Sequence, residues 1–167
     1  MKPVYSKKFG DCFSSAVASV LEMDLAEMPV LPFQTRFDEF CSEMHRRGIK
    51  TETEFLTEFG KWLEETREER AAEMQRCWTE WFDAKGIICY SLAPPAPTKG
   101  YCIAGCEDGP HSHALVLLDG KIIHDPERPE HRRGQPWQIT SIHILAPRDP
   151  AMLRRDFDRP HCHDNAP

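Results

Sequence analysis

Apolar residues recur along this chain at helical spacing first and in alternation later, and the change falls near Gly86. After Gly10-Asp11, residues Phe13, Ala16, Val17, Val20 and Leu21 lie three and four apart, which is the spacing of one helix face. Asp11 stands where an N-cap carboxylate accepts from the first free amides, and this helix is expected to stop near Met23-Asp24. Pro29 and Pro32 then impose an extended turn, and a second helix is expected over 37–47, closed by Gly48.

Residues 53–85 are the most helical part of the chain. Phe55, Phe59, Trp62 and Leu63 mark one apolar stripe and Met74, Trp78, Trp81 and Phe82 another. The run Glu64-Glu65-Thr66-Arg67-Glu68-Glu69-Arg70 between them is highly charged. A single helix here would span roughly 48 Å, more than a small domain is wide. A break at the charged run is therefore expected, giving a helical hairpin. The alternative is a projecting helix that meets a protein partner.

Beyond Gly86 the short β-type runs are 87–90, 101–104, 113–118, 121–124 and 138–145. The proline-rich segment 93–97 is a stiff connector, and Asp119-Gly120 is a strong hairpin turn. Helices first and strands later predict an α+β fold with an antiparallel sheet.

Composition narrows the class of function. The chain has 167 residues, 40% apolar and 29% charged, as expected for one globular domain with a real core. A formal charge of −6 argues against nucleic-acid binding, and the basic clusters His45-Arg46-Arg47 and Arg132-Arg133 lack interleaved aromatics. No N-terminal apolar stretch fits a signal peptide, and no segment approaches the ~20 apolar residues of a membrane span. A cytoplasmic location is expected. The seven cysteines then read as mostly free thiols, at least one of them unpaired in a monomer.

Among those thiols Cys12 stands out, because it opens the first helix, where unpaired amides and the helix dipole favour a thiolate. His113 opens a β run, and Asp125 ends the returning strand of the same hairpin. Hairpin pairing brings these two ends together, so Asp125 can orient and stabilise the imidazole of His113. A two-residue turn sets Asp125 opposite Ala114, on the wrong face. A three-residue loop, or a twist at the strand end, sets it opposite Leu115 and on the face of His113. The longer loop is the expectation.

His111, in the loop before the strand, is a rival base. Cys102 and Cys106 with His111 and His113 carry zinc-type donors, but their spacing fits no specific motif, so neither metal nor cofactor is expected. His161-Cys162-His163-Asp164 reads as a polar terminus, and His124 points away from Asp125.

Gly10-Asp11-Cys12, followed by Ala16, Ala18-Ser19-Val20-Leu21 and Met28-Pro29, resembles the nucleophile helix of bacterial and phage papain-like peptidases. The bacteriocin-leader peptidases are their best-known relatives. His113-Ala114-Leu115-Val116 and Gly120-Lys121-Ile122-Ile123-His124-Asp125-Pro126 are similar to their histidine strand and following Asp-Pro. The resemblance covers about a quarter of the chain. It implies a papain-like domain over 1–147, in which the charged helical stretch at 53–85 is an insertion; that stretch offers a surface for a protein partner, and 148–167 reads as a polar tail. It also implies a thiol protease with the catalytic triad Cys12, His113 and Asp125, acting on a peptide, isopeptide or related amide through a thioester. A transglutaminase- or acyltransferase-like enzyme would use the same triad, and a non-catalytic binding module could share the fold. The family usually carries a glutamine six residues before the nucleophile as an oxyanion-hole donor; Ser6 stands there, leaving Ser6 and the Cys12 amide as the candidate donors.

Overall fold

The computed structural model describes residues 1–7, 10–96, 99–108, 111–127 and 138–149. Beyond residue 149 the expected tail lies outside the described residues, as do Arg132-Arg133 and the 161–164 cluster. The helices are α1 (Cys12–Leu21), α2 (Pro32–Arg46), α3 (Glu52–Glu65) and α4 (Arg67–Lys85), with one 3-10 turn at Leu25–Glu27. The strands are β1 (Ile87–Leu92), β2 (Tyr101–Asp108), β3 (His111–Leu118), β4 (Lys121–His124) and β5 (Gln138–Pro147). They form one antiparallel sheet in the order β1-β5-β2-β3-β4. The α+β layout read from the sequence is therefore observed.

Helix α1 lies on the sheet. Its small residues Ala16, Val17 and Ala18 are fully buried and pack in one cluster with Ile103 of β2 and Ala114 and Val116 of β3. Small side chains let the helix axis come close to the strands, which fixes the height of Cys12 above them. Asp11 occupies the N-cap position but makes no side-chain cap hydrogen bond, contrary to expectation. By strand alternation, Cys102, Ala104, Cys106, Leu115 and Leu117 project to the opposite face and make a second core with Ile142.

Helix α2 begins at Pro32, earlier than the pattern indicates, because proline suits the first helical position, where its missing N–H has no partner to lose. The charged run does break the next helix, at Thr66 (φ −100°, ψ 4°). Arg70 bridges the break, its guanidinium donating to the Leu63 carbonyl at 2.7 Å and to the Thr66 hydroxyl at 2.8 Å.

A helical hairpin does not form. Phe55, Phe59 and Trp62 of α3 meet Phe40, Phe37 and Phe33 of α2 in reverse order. Glu69 and Glu73 of α4 pair with Arg36, and the Trp81 indole donates to the Glu27 carbonyl at 2.9 Å. Both helices therefore run antiparallel to α2, and the chain bends at Thr66 without folding back. The aromatic stripe of α3 finds its partner on α2, so α3 and α4 need not pack on each other.

The turn at Asp119-Gly120 is tight, with φ of 51° and 77°, the left-handed pair of a two-residue hairpin turn. Leu118 faces Lys121 and Leu117 faces Ile122, but Val116 faces His124, so the register slips by one residue at Ile123. This bulge supplies the offset that a longer loop was expected to give. Continued by one residue, the pairing sets Asp125 opposite Leu115. Among the described residues no helix is long and apolar enough to cross a membrane.

Candidate functional site

The clearest pair is His113 with Asp125. The His113 Nε2 donates to Asp125 Oδ1 at 2.8 Å, and the two side chains are only 7% and 15% exposed. A carboxylate is acceptor-only, which assigns the proton of that bond to Nε2. The same Oδ1 also accepts the Glu127 backbone N–H at 2.9 Å. The bulge turns Asp125 onto the face of His113, and a short loop amide then fixes the carboxylate.

Cys12 is at the first position of α1 and is half-buried. Burial pushes its thiol above the ordinary range, and this outweighs the backbone amides of Ala114, Phe13 and Cys12 itself, which favour the thiolate. The negative charge of Asp11 raises it further. Burial is thus the larger influence on this sulfur, where the sequence reading gave the helix terminus the upper hand. The Ala114 amide that acts on this sulfur belongs to the residue after His113, so Cys12 comes to β3 beside His113. Ala114 packs toward α1, while His113 shares the other face with Leu115. The pairing of β4 with β3 ends at Val116, so β4 does not cover the β3 edge at His113 and Ala114, where the two faces meet.

Cys106 pairs with His113 across β2 and β3 and is almost fully buried. Burial pushes its thiol up to about 11, with the charge of Asp125 and then the sulfur of Cys12 adding to the rise. Cys106 thus feels the helix terminus and the hairpin end together.

Ser6 belongs to an anchored N-terminal arm. Its amide donates to the Pro126 carbonyl at 2.9 Å, the Val4 amide to Ser19 Oγ at 2.8 Å, and His124 Nε2 to the Val4 carbonyl at 2.9 Å. The arm thus holds Ser6 next to Asp125-Pro126. His124, set aside as a base, is this arm's buried anchor, with the Tyr5 ring edge-on to it at 5.1 Å.

Two groups escaped the sequence reading. Glu127 is one: an imidazole nitrogen of His113 and one carboxylate oxygen each from Asp125 and Glu127 lie within 4.8 Å of one another. No periodic pattern marks a loop residue of this kind. The other is Ser141 with His143, bonded at 3.0 Å on β5 over Gly105. The Phe13 ring meets His143 edge-on at 5.2 Å, and burial pushes that imidazole toward its neutral form. Their spacing of two on a strand was readable as one face. The zinc reading of Cys102 and Cys106 fails on distance, because four strand residues separate them by ~13 Å, too far for one ion. The His111 side chain lies outside the described residues.

The groove between α2 and α3, lined by Phe40, Met44, Arg47, Glu58 and Trp62, lies elsewhere on the fold and adds nothing to this chemistry. Compared with protein-family models, curated proteins and solved structures, the chain matched none of the three.

Proposed function

We propose that this chain is a papain-like cysteine hydrolase that cleaves a peptide, isopeptide or related amide bond. The observation that carries the reading is the buried His113–Asp125 hydrogen bond at 2.8 Å, formed where the Cys12 sulfur meets the amide next to His113. With Nε2 given to Asp125, the base role falls to Nδ1. Cys12 Sγ attacks the carbonyl carbon while Nδ1 accepts the thiol proton. The tetrahedral oxyanion is stabilised by backbone amides at the α1 terminus, with Ser6 as the candidate side-chain donor. Collapse expels the amine, which takes the proton back from His113, and leaves a thioester on Cys12. A water activated by His113 then releases the acid and regenerates the thiol. An amine in place of that water would make the same site a transferase.

Iodoacetamide labelling near neutral pH, read by peptide mass spectrometry, tests this reading. Labelling of Cys12 should depend on His113, slowing sharply in His113→Ala, while labelling of the other six cysteines stays unchanged. A second reading, a non-catalytic binding module, is favoured by the burial that raises the Cys12 thiol. Labelling of Cys12 that is indifferent to His113→Ala would select it.

A further inference from the structure

His113, Asp125 and Glu127 also make a donor set suited to an ion. The His113 Nε2 and Asp125 Oδ1 are 2.8 Å apart, and all three ligand atoms lie within 4.8 Å of one another. Two ligands bound to one Zn²⁺ at ~2.0–2.1 Å sit roughly 3 Å from each other. The first pair already has that spacing, and Glu127 needs to swing inward by up to about 2 Å. We propose that His113, Asp125 and Glu127 form a binding site for a divalent transition-metal ion, Zn²⁺ foremost, whose occupancy withdraws His113 from catalysis.

The donors select the ion. A buried imidazole suits zinc and its late first-row neighbours, whereas Mg²⁺ and Ca²⁺ take oxygen ligands throughout. Two half-buried carboxylates balance the 2+ charge in a setting where water screens little. The supporting shell is present as well. The Glu127 N–H holds Asp125 Oδ1 at 2.9 Å, and buried Pro126 between the two acids is tied by the Ser6 amide at 2.9 Å. Three protein ligands leave a fourth position to water.

Binding needs the Nε2 lone pair, so its proton moves to Nδ1, and the ion replaces the hydrogen bond to Asp125. With Nδ1 protonated and Nε2 on the metal, His113 has no lone pair left for the Cys12 proton. This inhibitory consequence rests on the hydrolase reading, while binding itself rests on the geometry alone.

The experiment titrates Zn²⁺ into the full chain carrying Cys12→Ala by calorimetry, with Co²⁺ absorption as a second readout of coordination. One ion should bind, Glu127→Gln in the same background should weaken it at least 10–100-fold, and His113→Ala should abolish it. Circular dichroism confirms that each variant is folded. Failure of the Cys12→Ala chain to bind one ion would overturn the site. So would binding that survives Glu127→Gln unchanged, because the ion would then sit on another group such as His161, Cys162 and His163. In the wild type, Zn²⁺ should stop thioester formation and a chelator should restore it. Binding without that loss refutes the inhibitory half. A wild type that forms no thioester even with chelator sinks the hydrolase reading, and the titration still decides the metal site.

Discussion

Replacing Asp125 with asparagine separates the two tasks assigned to this side chain, orienting His113 and balancing the charge of its imidazolium. Both His113 Nε2–H and Glu127 N–H donate to the same oxygen, Oδ1, at 2.8 and 2.9 Å. In Asp125→Asn only the carbonyl end of the new amide can occupy that position, since the NH₂ end would face two donors. The Glu127 amide therefore holds the asparagine in the orientation that keeps the proton on Nε2 and Nδ1 as acceptor. What is lost is charge. An ion pair at ~4 Å in a partly buried setting is worth about 4 kcal/mol before desolvation is subtracted. Hydrogen bonds to charged groups contribute about 1.5–3 kcal/mol net, which corresponds to roughly 10–150-fold in rate. Single-turnover acylation should fall by that factor in Asp125→Asn, and far more in Cys12→Ala. A loss as large as that of Cys12→Ala would refute the reasoning, since it would mean that the tautomer is not held by Glu127. A loss under about 3-fold would remove Asp125 from the mechanism.

Gly105→Ala would drive a Cβ into Ser141 Oγ, so the hydroxyl must rotate off His143; urea unfolding should show a loss of about 1–2 kcal/mol, recovered in Gly105→Ala/Ser141→Ala. Cys106, with its thiol pushed up to about 11 from 9.0, adds stability that is complete below pH 9 and lost as pH rises through about 11. Thermal melts across that window should fall more steeply in the wild type than in Cys106→Ala, by roughly 2–3 kcal/mol at the alkaline end; parallel curves would contradict the assignment. Ser6→Gln should speed acylation by about 10-fold if the longer amide reaches the oxyanion; equal rates for wild type, Ser6→Gln and Ser6→Ala would take Ser6 out of the hole.

What the sequence made legible follows from how locally each feature is determined. The strand runs and the Asp119-Gly120 turn depend on neighbouring residues, and β4 matches its expected span at both ends. The break at Thr66 was readable from the charged run, but the direction after it was not. That direction is set by aromatic partners on α2, about 20 residues away, and by Arg36 reaching Glu69 and Glu73. The bulge at Ile123 was likewise invisible, because a one-residue slip is decided by which face must be buried and leaves no compositional mark. His113 and Asp125 were found through hairpin logic, and they meet even though the loop was expected to be longer.

The state of Cys12 turns on a balance that no local pattern shows. A helix terminus lowers a thiol's pKa by amounts that burial can exceed, and here burial is the larger influence. The small residues of α1 that let it settle onto Ile103, Ala114 and Val116 are what carry the sulfur into that dry setting. Burial of the thiol raises the demand on His113 in the proposed reaction, because the Cys12 proton has to be taken up for attack to proceed. A preorganised acid then matters more, because Asp125 stabilises the imidazolium that this proton transfer creates. The two N–H groups that converge on Asp125 Oδ1, the imidazole's from His113 and the backbone's from Glu127, are thus not redundant. One carries the charge that develops, and the other keeps the acceptor in place while it does.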